Sequence, residues 1–240
     1  MTYQHDAQLA NIVTSYCTCL AGLLPLILTG LTVLQPPRWL AVYACVLITG
    51  VPTVWLHSVE GNRIASFFDV GTNILLAWVL IVAVSGDYMS PLRRRMILSS
   101  TGLANLGVLG WLLWEIVAPE KVPVITFGEF GQFYLGEVAL IANAWIGLAL
   151  FVANRRNIAP THRRILYLMT ATFLVGMFMA TAGNSQVTAF ILPWHAMWHI
   201  VSAQGFIILW FFNHERFRTQ SLDDQSHPGS VPLTPQAPLS

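Results

Sequence analysis

Residues 194–212 read WHAMWHIVSAQGFIILWFF. The stretch holds no acid, no lysine and no arginine. It is about as long as the roughly 20 apolar residues that a helix needs to cross the hydrocarbon core. Two histidines, His195 and His199, stand in it four residues apart, and Trp194 and Trp198 precede them. A run this apolar reads as a membrane span, and ionisable groups inside a span are functional candidates by default.

Outward from that segment the same pattern recurs. Spans are expected at about 11–34, 39–57, 67–85, 96–117, 131–153, 165–182 and 194–212. Pro36-Pro37, Gly61-Asn62, Ser90-Pro91, Pro119, Pro123, Pro160 and Pro193 punctuate them, with Pro193 in a good first-turn position. Of 240 residues, 55% are hydrophobic and 10% charged, and the mean hydropathy is +0.61. Soluble domains carry about 25% charged residues. The net charge of +1 gives no nucleic-acid footprint. The expected fold is an all-α membrane protein, a seven-transmembrane helix bundle over residues 10–213. A short N-terminal tail (1–9) precedes it and a polar, disordered cytoplasmic tail (214–240) follows. No basic region precedes the first apolar run, which argues against a cleaved signal peptide.

The basic residues set a direction. Arg38, Arg93, Arg94, Arg95, Arg155, Arg156, Arg163, Arg164, Arg216 and Arg218 fall on one side of the bilayer, and only Arg63 and Lys121 on the other. The positive-inside rule puts the N-terminus outside and the C-terminus in the cytoplasm. Arg93–Arg95 are expected to fix topology and meet anionic headgroups. With this direction, His57 at the end of the second span, Asp69 near the start of the third, and His195 and His199 at the start of the seventh share the outer rim.

That shared depth points to a metal centre. Histidines at i and i+4 present both imidazoles on one helix face. His57 would supply a third ligand, giving the form of a catalytic zinc site, three protein ligands and a water. Such a water has its pKa lowered toward about 7. Asp69 is the candidate base or water-orienting group, and Thr53, one turn before His57, could bond Asp69 or the water. For Asp69 alone, capping of the third span is the alternative. Bis-histidine haem is the alternative for the cluster, though it leaves Asp69 and one histidine without a role. A retinal Schiff base needs a lysine within a span, and Lys121 lies between Pro119 and Pro123 in a loop.

These residues resemble a superfamily of seven-span membrane proteins: the alkaline ceramidases, the adiponectin and progestin receptors, the haemolysin-III-like proteins, and the post-GPI-attachment and myomaker-like proteins. Thr53-x-x-x-His57, Asp69 and His195-x-x-x-His199 match its motifs by position, and His195-Ala196-Met197-Trp198-His199 looks most like the ceramidase branch. The likeness covers about residues 10–213. It implies zinc held by His57, His195 and His199, assistance from Asp69, and hydrolysis of a lipid amide or ester, ceramide being the best-defined substrate. It also admits a non-enzymatic receptor or adaptor in which zinc is structural. The chain departs in carrying Thr53 where the family has serine. It also has only Asp6 ahead of the first span, where alkaline ceramidases have an acidic, aromatic segment linked to calcium.

The remaining polar residues within spans are Asn73, Asn105, Glu115, Glu137, Asn143 and Gln204. The amides are expected to bond between helices. Glu115 is expected to reach water, and Glu137 to line a substrate passage or pair with a buried partner. Tryptophans near span ends fit interfacial belts, and Cys17, Cys19 and Cys45 fit small buried hydrophobes.

Overall fold

The computed structural model describes residues 2–59, 61–118, 124–126, 132–183, 188–189 and 192–226. The expectations that rest on Lys121, Pro119, Pro123 and residues 227–240 fall outside them. Among the described residues, seven helices are long and apolar enough to cross a membrane: α1 (Thr2–Leu31), α2 (Pro37–Ser58), α3 (Arg63–Tyr88), α4 (Pro91–Val117), α5 (Leu135–Ala153), α6 (Pro160–Gly183) and α7 (Trp194–Ser226). Prolines open α2, α4 and α6, where the missing N–H is one the first turn leaves unpaired in any case. Asn62 caps α3 by accepting from the backbone N–H groups of Ile64 and Ala65. Gly61, at φ 71, takes the left-handed conformation that the tight α2–α3 connection needs.

The helices outrun the apolar windows that announced them. α1 reaches back to Thr2, so residues 2–9 are helical. α7 continues to Ser226, well past residue 213. Hydropathy marks the hydrocarbon, and backbone hydrogen bonding carries a helix beyond it. The opposite holds at α5, which starts at Leu135 instead of residue 131 because β2 (Gln132–Tyr134) pairs antiparallel with β1 (Val124–Thr126). A second small pair, β3 (Thr188–Ala189) with β4 (Leu192–Pro193), puts Pro193 in a strand and starts α7 at Trp194.

α1 packs between α2 and α7, α2 on α3, α6 on α7, and α3 against α4 and α5. The α1–α2 seam is close at Gly22, where any side chain would drive into the backbone of Leu47. The cysteines lie half-buried along helix seams, free of disulfides, instead of fully enclosed. α4 is the outermost helix, burying only Asn105 and Leu112, and Asn105 forms the expected interhelical amide pair with Asn143 of α5. Asn73 instead bonds the Asp69 carbonyl in its own helix, and Gln204 is exposed. Several tryptophans are interhelical, not belt residues. Trp39 is wholly buried, Trp78 donates to Thr101, and Trp210 donates to Thr29.

Candidate metal centre

α2 and α3 form a helical hairpin. Its short turn, from Val59 to Asn62, places the end of one helix beside the start of the other. Thr53 and His57 therefore face Asp69. The Thr53 hydroxyl donates to Asp69 Oδ1 and to the carbonyl of Thr49. Asp69 is the seventh residue of α3, so it does not cap that helix; Asn62 does. The second oxygen of Asp69 has no hydrogen-bond partner among the described residues, and Asp69 lines a cavity.

α7 brings its two histidines to the same place. His57 Nε2 lies 3.2 Å from His195 Nε2. Ring centroids are 5.0 Å apart for His57–His195, 5.4 Å for His57–His199 and 4.8 Å for His195–His199. Each of the three offers a ligand nitrogen within 4.8 Å of the others. Two nitrogens at about 2.0–2.1 Å from a tetrahedral ion stand about 3.3–3.4 Å apart, close to the His57–His195 separation. His199 is 5% exposed, and its Nε2 is buried without a hydrogen-bond partner among the described residues. Leaving a buried polar nitrogen unpaired costs about 1–3 kcal/mol. A shared cation would remove that cost and give three imidazole nitrogens one common partner. These residues fit a metal ion.

The cavity of about 240 Å³ extends from this centre into the bundle. Its polar lining gathers at one end, with Thr53, Asp69, Asn73, His195, His199 and Ser202. Deeper in, the wall is apolar, as at Leu80, Phe151, Met169 and Leu209. α5 and α6 both line it with little direct packing between them, whereas α4 contributes no lining among the described residues. Gly176 of α6 makes room for Trp198 next to His199, since a Cβ there would sit 2.9 Å from the indole.

Glu137 also lines the cavity, at the level of Asp69. Its neighbour Gly136 packs directly on Val70. Its Oε2 accepts from the backbone N–H of Tyr134, capping the start of α5. Glu115 does not simply reach water; it is half-buried with Oε1 enclosed and unpaired.

At the other rim, Asp87 of α3 accepts from Arg38 of α2 and Arg216 of α7, and from the Trp39 indole. Arg216 also donates to the hydroxyl of Tyr88 and the amide oxygen of Asn213. Sequence reading passed over this knot, because a charge at a span end ordinarily meets water. The one signal was Asp87, an acid at the end of the third span on a mostly basic rim.

The fold and the site together define a multi-pass, all-α membrane protein whose three-histidine group is fit to hold a metal ion. No protein-family model matches the sequence, and no curated protein matches it either.

Proposed function

We propose that this protein is a zinc-dependent integral-membrane hydrolase of a lipid amide, ceramide-like, with its centre on the non-cytoplasmic side. One observation carries the reading. Three imidazoles converge, one with an orphaned buried nitrogen, at the polar end of a cavity that is otherwise apolar. An all-imidazole donor set, with the His57–His195 nitrogens near tetrahedral spacing, suits zinc. The distribution of basic residues supports the orientation, ten of the twelve lying on the rim away from the histidines. The resemblance to the ceramidase superfamily adds to this through Thr53, His57, Asp69, His195 and His199.

His57, His195 and His199 would hold the ion. When bound, zinc supplies Lewis acidity and a readily deprotonated water. Thr53 fixes one oxygen of Asp69, so the other keeps one orientation toward the cavity. That free oxygen takes a proton from the attacking water and returns it to the leaving amine nitrogen, so that water plus amide gives acid plus amine. The apolar wall takes acyl chain, and the rim of the cavity, including Glu137, meets the head group.

The test joins composition to turnover. Purified protein is expected to carry about one equivalent of zinc, and His195→Ala to lose it, by elemental analysis. Wild type is expected to release fatty acid from ceramide or another N-acyl lipid. Full zinc in the alanine variant would remove the centre. Zinc without turnover of any N-acyl lipid would favour a receptor or adaptor with a structural ion. That second reading has its own support, since α2 and α7 are not among the closely packed helix pairs and the ion would bridge them. Haem is disfavoured, because three rings with centroids 4.8 to 5.4 Å apart leave no slot for a macrocycle between two of them.

A further inference from the structure

The rim opposite the histidines holds more positive charge than its carboxylates, Asp87 and Glu215, balance. Asp87 is saturated: Arg38 Nε donates to Oδ1 at 2.5 Å, Arg216 Nη2 to Oδ2 at 2.6 Å, and Trp39 Nε1 to Oδ2 at 3.0 Å. Arg216 is absorbed into the bundle, its guanidinium 4.4 Å from the centre of the Phe217 ring and near those of Trp39, Tyr88 and Phe212. Arg38 is different. It keeps 34% of its side-chain surface exposed while holding Asp87.

A third guanidinium lies beside it. At Gly86, on the last turns of α3, a Cβ would stand 3.1 Å from Arg38 Cδ and 3.6 Å from Arg94 Cζ. The missing side chain leaves a hollow over which arginines from α2 and α4 come together. Arg94 makes no ion pair or side-chain hydrogen bond among the described residues. Two guanidiniums hold Asp87, and the third, Arg94, lies beside Arg38 with no described carboxylate to balance it. Like charges this close repel, and near the bilayer they are screened less than in water. Bringing a cation with no partner up to another cation is unfavourable unless an anion joins them.

We propose that Arg38 and Arg94, gathered over Gly86, hold the phosphate of an anionic phospholipid. Guanidinium groups match phosphate oxygens with paired N–H donors. Basic pockets between span ends are the places where lipid head groups are recognised. A lipid fits better than a free anion because α4, which supplies Arg94, is also the helix with the largest exposed apolar surface, Leu103 being 71% and Leu106 67% exposed. α4 is the least buried of the seven helices, so acyl chains of a bilayer lipid can lie along it. The site is independent of the histidine centre, from which it is separated by the length of α3.

The test compares neighbouring arginines. Protein in mixed micelles of phosphatidylglycerol and phosphatidylcholine is examined by native mass spectrometry, with thermal unfolding as a control for folding. Wild type is expected to retain one phosphatidylglycerol in preference to phosphatidylcholine. Arg94→Gln is expected to weaken that retention about tenfold, and Arg93→Gln to leave it within about twofold. Gly86→Ala, which fills the hollow without removing charge, is also expected to weaken it. Equal losses in Arg93→Gln and Arg94→Gln would mean diffuse attraction and overturn the site, as would the absence of any preference for the anionic lipid. Displacement of the lipid by millimolar inorganic phosphate would overturn the assignment to a lipid.

Discussion

At Thr53 one hydroxyl hydrogen is shared between the Thr49 carbonyl and the Asp69 carboxylate. The group that matters is the hydroxyl, not the methyl. Thr53→Ser is therefore expected to keep hydrolysis within about threefold, and Thr53→Val to lower it at least about tenfold, with zinc content unchanged in both. Asp69→Asn is expected to retain metal and lose about 10²–10⁴-fold in turnover, the range for a general base. Turnover assays paired with elemental analysis separate these variants from His199→Ala, which loses both. The five candidate site residues were legible in the sequence because i, i+4 spacing and alternation of membrane side need no coordinates. The role of Glu137 was not. A cap can be read only once the start of the helix is known, and a span beginning at residue 131 buries Glu137 within α5.

Helix ends were the weakest part of the sequence reading, and they carry the second polar centre. Asp87 and Arg216 lie beyond the apolar windows at 67–85 and 194–212, yet both are in regular helix. Their side chains are 6% and 10% exposed. Asp87→Asn strips the buried arginine of its counter-charge, a change worth about 3–5 kcal/mol when one partner of a buried pair is removed. A lowered unfolding temperature in detergent, with zinc still bound below the transition, is the expected result. Retained stability would mean that water reaches Arg216 and replaces the carboxylate. The short strands flanking α5 and α7 were not foreseen either. Two- and three-residue pairs are too brief to leave an alternating pattern in the sequence.

Across the whole molecule, the number of spans followed from composition and length, whereas the cavity did not. It depends on which helix sides face inward, and the apolar lining of a pocket uses the same residue types as a lipid-facing surface. Ala144 lines that cavity. Ala144→Trp is expected to keep zinc and to abolish turnover of long-chain substrates while sparing short-chain ones, measured with a series of acyl lengths. Orientation has a direct check. A cysteine replacing Val59 is expected to react with a membrane-impermeant thiol reagent added to intact cells, and one replacing Asn157 to react only after lysis. The reverse pattern would turn the metal centre toward the cytoplasm.

Asp69 and Asp87 are 18 positions apart on α3, about 27 Å at 1.5 Å per residue. At the first, Thr53 joins α3 to α2 and His57 meets His195 of α7; at the second, Arg38 and Arg216 draw the same three helices together. α2, α3 and α7 are thus fastened top and bottom into a tripod, and α5 and α6 belong to neither fastening. Any swelling of the chamber to admit a bulkier guest falls to those two helices. Amide exchange in α5 and α6 should slow when the chamber fills, while the tripod keeps the rate it had when empty.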